Sequence, residues 1–251
     1  MQYMGGKQRI AKPIANIILA SRGARSIYVE PFLGAGSIAV KVAPSFEHSI
    51  LSDAHVDLVM MWQAVQNGWE PPTYLSEDEY LGLRNSEPSA LRGFAGFPCS
   101  FGGKWFGGYA RDPGSDRNYA RTASKSIMKR ADILRDSMIY ASDYRDALLS
   151  VDLSNAVVYA DPPYRGTTNY GGLDNFDSED FWHVMDECVD NGALVFVSEY
   201  SAPANWVSVW QATPTVSLQR QNLDQNGAFR RATENLFSSL NSIHEVETEN
   251  K

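Results

Sequence analysis

Asp161-Pro162-Pro163-Tyr164 is the stretch of this chain whose residue types point most directly to chemistry. Two consecutive prolines remove two backbone N–H donors and fix φ, and each holds the residue before it in an extended conformation. The result is a stiff turn rich in acceptors. The Asp161 carboxylate and the Pro162 carbonyl can together accept both protons of one planar amino group, while Tyr164 offers a flat face to the ring that carries it. An amino-bearing nucleobase fits such a pocket. Ordinary turn chemistry fits the same four residues equally well, as a proline turn closing a strand with Asp161 capping a helix. The preceding run, Ala156-Val157-Val158-Tyr159-Ala160, predicts a strand buried on both faces of a parallel sheet. The tetrapeptide then lies at a strand's carboxyl end, the edge where open α/β sheets bind ligands.

A second group lies upstream. Ser26–Val29 predicts a strand, and Glu30-Pro31-Phe32-Leu33-Gly34-Ala35-Gly36-Ser37-Ile38-Ala39 follows it. Gly34, Gly36 and Ala39 fit G-x-G-x-x-G/A, in which glycines allow a tight turn and close approach to a cofactor. His48–Ser52 predicts a second strand ending at Asp53, an acid suited to both hydroxyls of a ribose. This order suits a nicotinamide dinucleotide as well as S-adenosylmethionine. Glu30-Pro31-Phe32 before the glycines favours the acidic-x-Phe-x-Gly-x-Gly loop of methyltransferases. Further upstream, Tyr3, Gly5, Gly6 and Lys7 precede or open a helix expected from about Lys7 to Ser21, built on Ile10, Ile14, Ile17 and Ile18. Glycine N–H groups and a lysine at a helix start suit a carboxylate or phosphate. Downstream, a strand over Met138–Ser142 ends at Asp143-Tyr144, where Asp143 either meets the amino group of a cofactor adenine or caps the next helix.

The elements that must position these groups follow from periodicity. Helices are predicted over Val56–Gln66, Tyr119–Leu134 and Ser178–Val189, and strands over Ala193–Ser198, Thr215–Gln219 and Glu234–Ser238, the last two joined by a polar loop containing Asn226-Gly227. Residues 68–117 are rich in glycine and proline. Within them, Phe94 to Arg111 interleaves aromatics, glycines and cations, a composition for stacking on bases and touching phosphates, or equally for a packing loop over the sheet. Arg121, Lys125 and Lys129 are spaced four apart on the helix that follows and so share a face able to lie along a phosphate backbone. Arg165–Phe176 reads as a loop at the mouth of the site.

Composition excludes several classes. The net charge of -8 argues against a nonspecific polyanion binder, yet residues 101–135 hold eight basic and three acidic side chains, a local excess of +5 on an acidic body. No apolar stretch approaches the ~20 residues of a membrane span. Met1–Lys7 lacks the apolar core of a signal peptide, and Cys99 and Cys188 read as free thiols, so a reducing cytoplasm is expected. His48, His55, His183 and His244 show no ligand spacing; no metal is expected, and surface or capping roles are.

Taken together, these stations resemble the DNA adenine methyltransferases of the Dam type, the α-ordered group, over Tyr3 to about Phe237. Tyr3-Met4-Gly5-Gly6-Lys7 is similar to the amino-terminal motif, Glu30–Gly36 to the glycine loop, Asp53 to the ribose acid, Asp143-Tyr144 to the Asp-Phe pair beside the cofactor adenine, and Asp161–Tyr164 to the catalytic Asp-Pro-Pro-Tyr. The segment around Lys104 to Arg111 is similar to versions encoded by phages and prophages. The resemblance implies an α/β fold: a Rossmann-like S-adenosylmethionine-dependent methyltransferase sheet with helices on both faces and an inserted small recognition subdomain. Residues 1–67 and 136–251 would form the catalytic domain and 68–135 the inserted region.

It also implies roles. Asp161, Pro162 and Tyr164 would be catalytic. Tyr3, Gly6, Lys7, Glu30, Phe32, Gly34, Gly36, Asp53, Asp143, Tyr144 and Asp161 would hold S-adenosylmethionine, and Lys104, Trp105, Tyr109, Arg111, Arg121 and Lys125 would contact double-stranded DNA with a flipped adenine. The expected reaction is methylation of adenine N6. The same residues leave open cytosine N4 or an RNA adenine as acceptor, more remotely a nicotinamide-dependent oxidoreductase or a silent DNA-binding module.

Overall fold

The computed structural model describes residues 1–112, 114, 118–164, 176–213 and 233–239. Its elements, in chain order, are α1 (Ala11–Ser21), β1 (Ile27–Glu30), α2 (Ala39–Val42), β2 (His48–Asp53), α3 (Val56–Gln66), α4 (Glu77–Leu83), α5 (Ala90–Gly96), α6 (Tyr119–Ile133), β3 (Met138–Ala141), α7 (Tyr144–Leu149), β4 (Ala156–Ala160), α8 (Ser178–Asp190), β5 (Leu194–Glu199), β6 (Trp206–Ala212) and β7 (Glu234–Ser239), with short 3-10 turns between some of them. The strands form one sheet in the order β3-β2-β1-β4-β5-β7-β6. β1 to β5 are parallel where they pair, and β7 runs antiparallel to both neighbours, β5 and β6.

Strand residues alternate between two apolar layers, as the pleat requires. Tyr28, Leu51, Val157, Tyr159, Leu194 and Phe196 face one core, which α1, α3, α5 and α6 cover. Val29, Ile50, Val158, Val195 and Val197 face the other, covered by α7 and α8. Both faces are thus buried, which is why β4 and β5 read as unbroken apolar runs. From β1 the chain winds outward one way to β2 and β3, and from β4 the other way to β5. β1 and β4 are neighbours, so the crevice where the winding reverses opens at their carboxyl ends.

The helix near the amino terminus begins at Ala11, not at Lys7: residues 7–10 form a turn, so Gly5 and Gly6 open a strap across the sheet edge rather than a helix. Residues 68–117 also hold more order than their composition suggests, in α4 and α5. Phe94, Ala95, Phe97 and Cys99 join the same core cluster as β1 and α3, and so do Ala120, Ala123 and Ile127 of α6. β6 falls on Trp206–Ala212, and the strand expected over Thr215–Gln219 lies outside the described residues, as do its loop and most of Arg165–Phe176. Cys99 and Cys188 are free and buried. Among the described residues no helix is long and apolar enough to cross a membrane.

α5 docks on the start of α3 through Asp57, whose carboxylate accepts from Ser89 N at 2.8 Å and pairs with Arg92 at 2.8 Å. Gly93 makes this approach possible, since a Cβ there would lie 2.1 Å from the Asp57 carbonyl oxygen. Gly93→Ala should therefore force the helices apart and cost about 2–4 kcal/mol in urea unfolding. Gly82→Ala, in α4 with nothing within 4 Å of the new methyl, should instead gain up to ~1 kcal/mol. Equal losses in the two variants would disprove this account of the packing.

Candidate active site

Four acids end four adjacent parallel strands: Glu30 on β1, Asp53 on β2, Asp143 just past β3 and Asp161 just past β4. They line one cleft together with Tyr3, Gly6, Lys7, Phe32, Gly34, Tyr144, Pro163 and Phe176. Most of the cofactor residues expected from the sequence therefore converge. Gly36 stands behind them, with φ +63° and Leu33, Trp62 and Leu134 packed around it.

The glycine loop turns through Gly34 at φ +47°, a conformation that favours glycine, and a Cβ there would lie 2.9 Å from the Tyr3 ring. The loop is pinned on several sides. Gly34 N donates to Asp53 Oδ2 at 2.9 Å, Trp62 Nε1 donates to Gly34 O at 3.0 Å, and Arg130 of α6 reaches the Ala35 carbonyl and Ser37 Oγ. Asp53 Oδ1 accepts from His55 N at 2.9 Å. Burial pushes the Asp53 carboxyl up against these two bonds. Glu30 is fully enclosed and accepts from Tyr28 OH at 2.6 Å; burial drives its carboxyl well above the usual range. Asp143 caps α7, accepting from Arg145 N at 3.0 Å, so the capping reading holds, and the residue lines the cleft as well. Phe32 and Tyr144 stack at 5.4 Å between ring centres, and Tyr144 OH donates to Asp180 at 3.0 Å.

At the other end, Lys7 Nζ lies 2.8 Å from Asp161 Oδ1 and 2.8 Å from Glu234 Oε1, with its side chain 6% exposed. The ammonium also sits 4.5 Å from the centre of the Tyr164 ring, and Tyr164 OH donates to Glu234 Oε1. Tyr200 meets Tyr164 in a T-shaped contact at 4.6 Å. Burial alone would lower the Lys7 pKa, but two carboxylates outweigh it and the net shift is upward. Asp161 moves upward through burial, restrained by Lys7 and pushed further by Glu234. The two carboxylates set the direction for Lys7, and burial sets it for Asp161.

Sequence reading missed Glu234, seen only as the start of a strand, and it missed Tyr200. The usable signal was the one that worked for Asp161, an acid at a strand end, but β7 runs the opposite way, so the relevant end is its beginning. His55 is a further correction. It is buried, its ring packed against Phe97 at 4.8 Å and Trp105 at 4.2 Å, and its Nδ1 has no hydrogen-bond partner among the described residues.

The residues expected to touch DNA divide. Lys104, Arg111, Arg121 and Lys125 are exposed, Arg111 paired with Glu77 at 2.8 Å. Trp105 and Tyr109 are half-buried and packed against the core: Trp105 fills the space that Gly96 leaves and packs on Phe106, and Tyr109 OH donates to the Leu75 carbonyl. Their rings help to hold the segment together.

The sequence matches the D12 class N6 adenine-specific DNA methyltransferase family over residues 3–87 and 107–247. The chain belongs to that family. It is accordingly an S-adenosylmethionine-dependent enzyme that methylates adenine N6 in DNA, and the oxidoreductase, RNA and cytosine readings fall away. Within this D12 setting, the Type II methyltransferase M.CviBI of Paramecium bursaria Chlorella virus NC1A is 26% identical over 187 residues, covering 68% of this chain and 71% of that one. Among solved structures, the methyltransferase candidate yhhF of Escherichia coli aligns at 13% identity and a TM-score of 0.40, covering 92% of this chain and 84% of its own. SMU.776, another methyltransferase candidate, complexed with SAH, aligns at 8% identity and a TM-score of 0.42, covering 94% and 50%.

Two consequences can be measured. Lys7→Met leaves Asp161 and Glu234 buried without their cation, a loss of about 3–5 kcal/mol. The folded variant then holds a proton on Asp161 more tightly than the unfolded chain does, since burial raises this carboxyl and Lys7 no longer restrains it. Its deficit against wild type should therefore shrink as pH falls from about 8 to about 5; a deficit independent of pH would exclude this coupling. His55 is held down to about 4 by burial, against 6.5 when free. Its folded pKa is depressed, so its contribution is complete above pH 6.5 and is lost as pH falls toward 4. The wild type should lose roughly 3 kcal/mol relative to His55→Phe across that window, read by thermal melts at each pH.

Proposed function

We propose that the cleft takes S-adenosylmethionine along the carboxyl ends of β1, β2 and β3, and a target adenine, swung out of the duplex, at the end of β4. The observation that carries this reading is the set of four strand-end acids around one cleft, closed at Asp161 by Lys7. The donor set fits the cofactor. Phe32 and Tyr144 offer ring surface for its adenine, with Asp143 for the amino group. Each Asp53 oxygen accepts one backbone N–H and keeps a lone pair for a ribose hydroxyl. Tyr3, Gly6 and Lys7 bound the remaining end, and Glu30, whose carboxyl burial drives well above the usual range, shapes the floor.

When bound, S-adenosylmethionine supplies a methyl group on a sulfonium sulfur that leaves as a neutral thioether. The chain's own task is to make the adenine N6 a nucleophile. Its lone pair is delocalised into the ring, and acceptance of both N6 protons by the Asp161 carboxylate and the Pro162 carbonyl draws that pair out of conjugation. The same acceptors stabilise the positive charge that grows on nitrogen, and Asp161 takes up the proton the nitrogen sheds. Much of the remaining acceleration is alignment. Tyr164 forms the wall beside the base. Extruding the base costs a few kcal/mol of stacking and pairing, repaid by these contacts.

DNA lies, in this reading, across Arg121, Lys125 and Lys129 on the exposed face of α6, with Lys104 and Arg111 nearby. Residues 68–135 serve target recognition and 1–67 with 136–251 catalysis, although the two share one core. A DNA substrate is consistent with work in the cytoplasm of a bacterium or a phage-infected host cell.

Labelled methyl transfer to unmethylated DNA, with product nucleosides identified, tests the site. Wild type should yield N6-methyladenine and Asp161→Ala at least ~100-fold less. An Asp161→Ala variant as fast as wild type would refute the assignment. Lys125→Glu should weaken DNA binding alike on all sequences and flatten its salt dependence by about one unit of slope.

A further inference from the structure

Glu234 opens β7, far along the chain from every motif that the site assembles, and its carboxylate ends in the same buried cluster as Lys7, Asp161 and Tyr164. Its side chain is 10% exposed, so this is interior charge and not a screened surface acid. One oxygen, Oε1, receives both the Lys7 ammonium at 2.8 Å and the Tyr164 hydroxyl. Each of those two groups also touches Asp161. The Tyr159 and Tyr200 hydroxyl-bearing rings and Glu30 complete the titratable surroundings.

A lysine that neutralised one carboxylate would need only Asp161. A second buried carboxylate on the same ammonium leaves the cluster with a surplus of one negative charge, at a desolvation cost that packing alone would not favour. The reaction brings a sulfonium to this cleft and develops positive charge on the acceptor nitrogen. Resting on the reading of the site given above, we propose that Glu234 is a positioning residue for methyl transfer: it clamps Lys7 and Tyr164 beside Asp161, and its carboxylate supplies the surplus negative charge that makes the cleft prefer a cationic cofactor over its neutral product.

The charge can be removed without changing shape. Glu234→Gln leaves Lys7 paired with Asp161 alone, a neutral pair, so the fold should survive. Isothermal titration with S-adenosylmethionine and with S-adenosylhomocysteine then separates charge from fit, because the two ligands differ by the methyl group and the sulfonium charge. In Glu234→Gln, affinity for S-adenosylmethionine should fall about tenfold with that for S-adenosylhomocysteine unchanged, and the single-turnover rate of N6-methyladenine formation should fall about tenfold or more. Glu234→Asp, which keeps the charge, should retain the wild-type ratio of the two affinities, and it decides the matter if the glutamine variant does not fold. Equal weakening of both ligands, or a ratio and rate like wild type, would overturn the proposal, as would an aspartate variant that loses the discrimination. Asp161→Ala in the same assay keeps the two ideas apart. If it retains wild-type turnover, the reading of the site fails; if it is inactive while Glu234→Gln matches wild type, only the role of Glu234 fails.

Discussion

A buried lysine between two carboxylates is the constraint on which the rest of this site depends. An ammonium in the interior is tolerable only when its charge is met and its donors are satisfied. Lys7 meets Asp161 from the middle of the sheet and Glu234 from β7, the strand inserted beside β5. Three distant parts of the chain must therefore be in register before any of the three charges is satisfied. The strap of residues 3–7 is held the same way along its length: Met4 N donates to Gly103 O at 3.1 Å, and Tyr3 lies over Gly34 and against Phe97. The glycine loop beneath has in turn its own tie to α6 through Arg130.

Most of what positions the chemistry was legible because it obeys two local rules. Strand-forming runs marked β1 to β5, and acids at the ends of the first four marked Glu30, Asp53, Asp143 and Asp161, since parallel strands bring their carboxyl ends to one edge. α3 and α6 followed from periodicity to within a residue. α4 was hidden by the glycine and proline around it, although Ser76 and Glu79 form a capping box whose spacing is a sequence signal. α5 had a similar start at Ser89 but only seven residues, too short for a period to show.

What could not be read was pairing across the fold. Trp105 and Tyr109 look like stacking rings in sequence because composition does not say which side of a loop faces the core. Glu234 looked like any polar residue opening a strand, because its meaning comes from the antiparallel direction of β7, which no local pattern encodes. His55 lacks ligand spacing, and a surface or capping role is expected of it; it does stand at the N-cap position of α3, but its side chain is buried and makes no capping bond. Its burial comes instead from Phe97 and Trp105, more than forty residues away.

The antiparallel strand has one more consequence, for the order of events during synthesis. Lys7 and Asp161 leave the ribosome well before Glu234, and the slot between β5 and β6 cannot close until β7 arrives. A nascent chain can build most of the cofactor edge of β1 to β4 before β7 emerges, since its latest contacts, to Phe176, Asp180 and β5, all precede Glu234 in sequence. The methyl-transfer corner is the last to close, through contacts of the longest sequence separation, which form slowly. An incomplete or truncated translation product would then hold a lysine with half its counter-charge and a loose Tyr164, so quality control of the finished chain and competence to mark DNA arrive together.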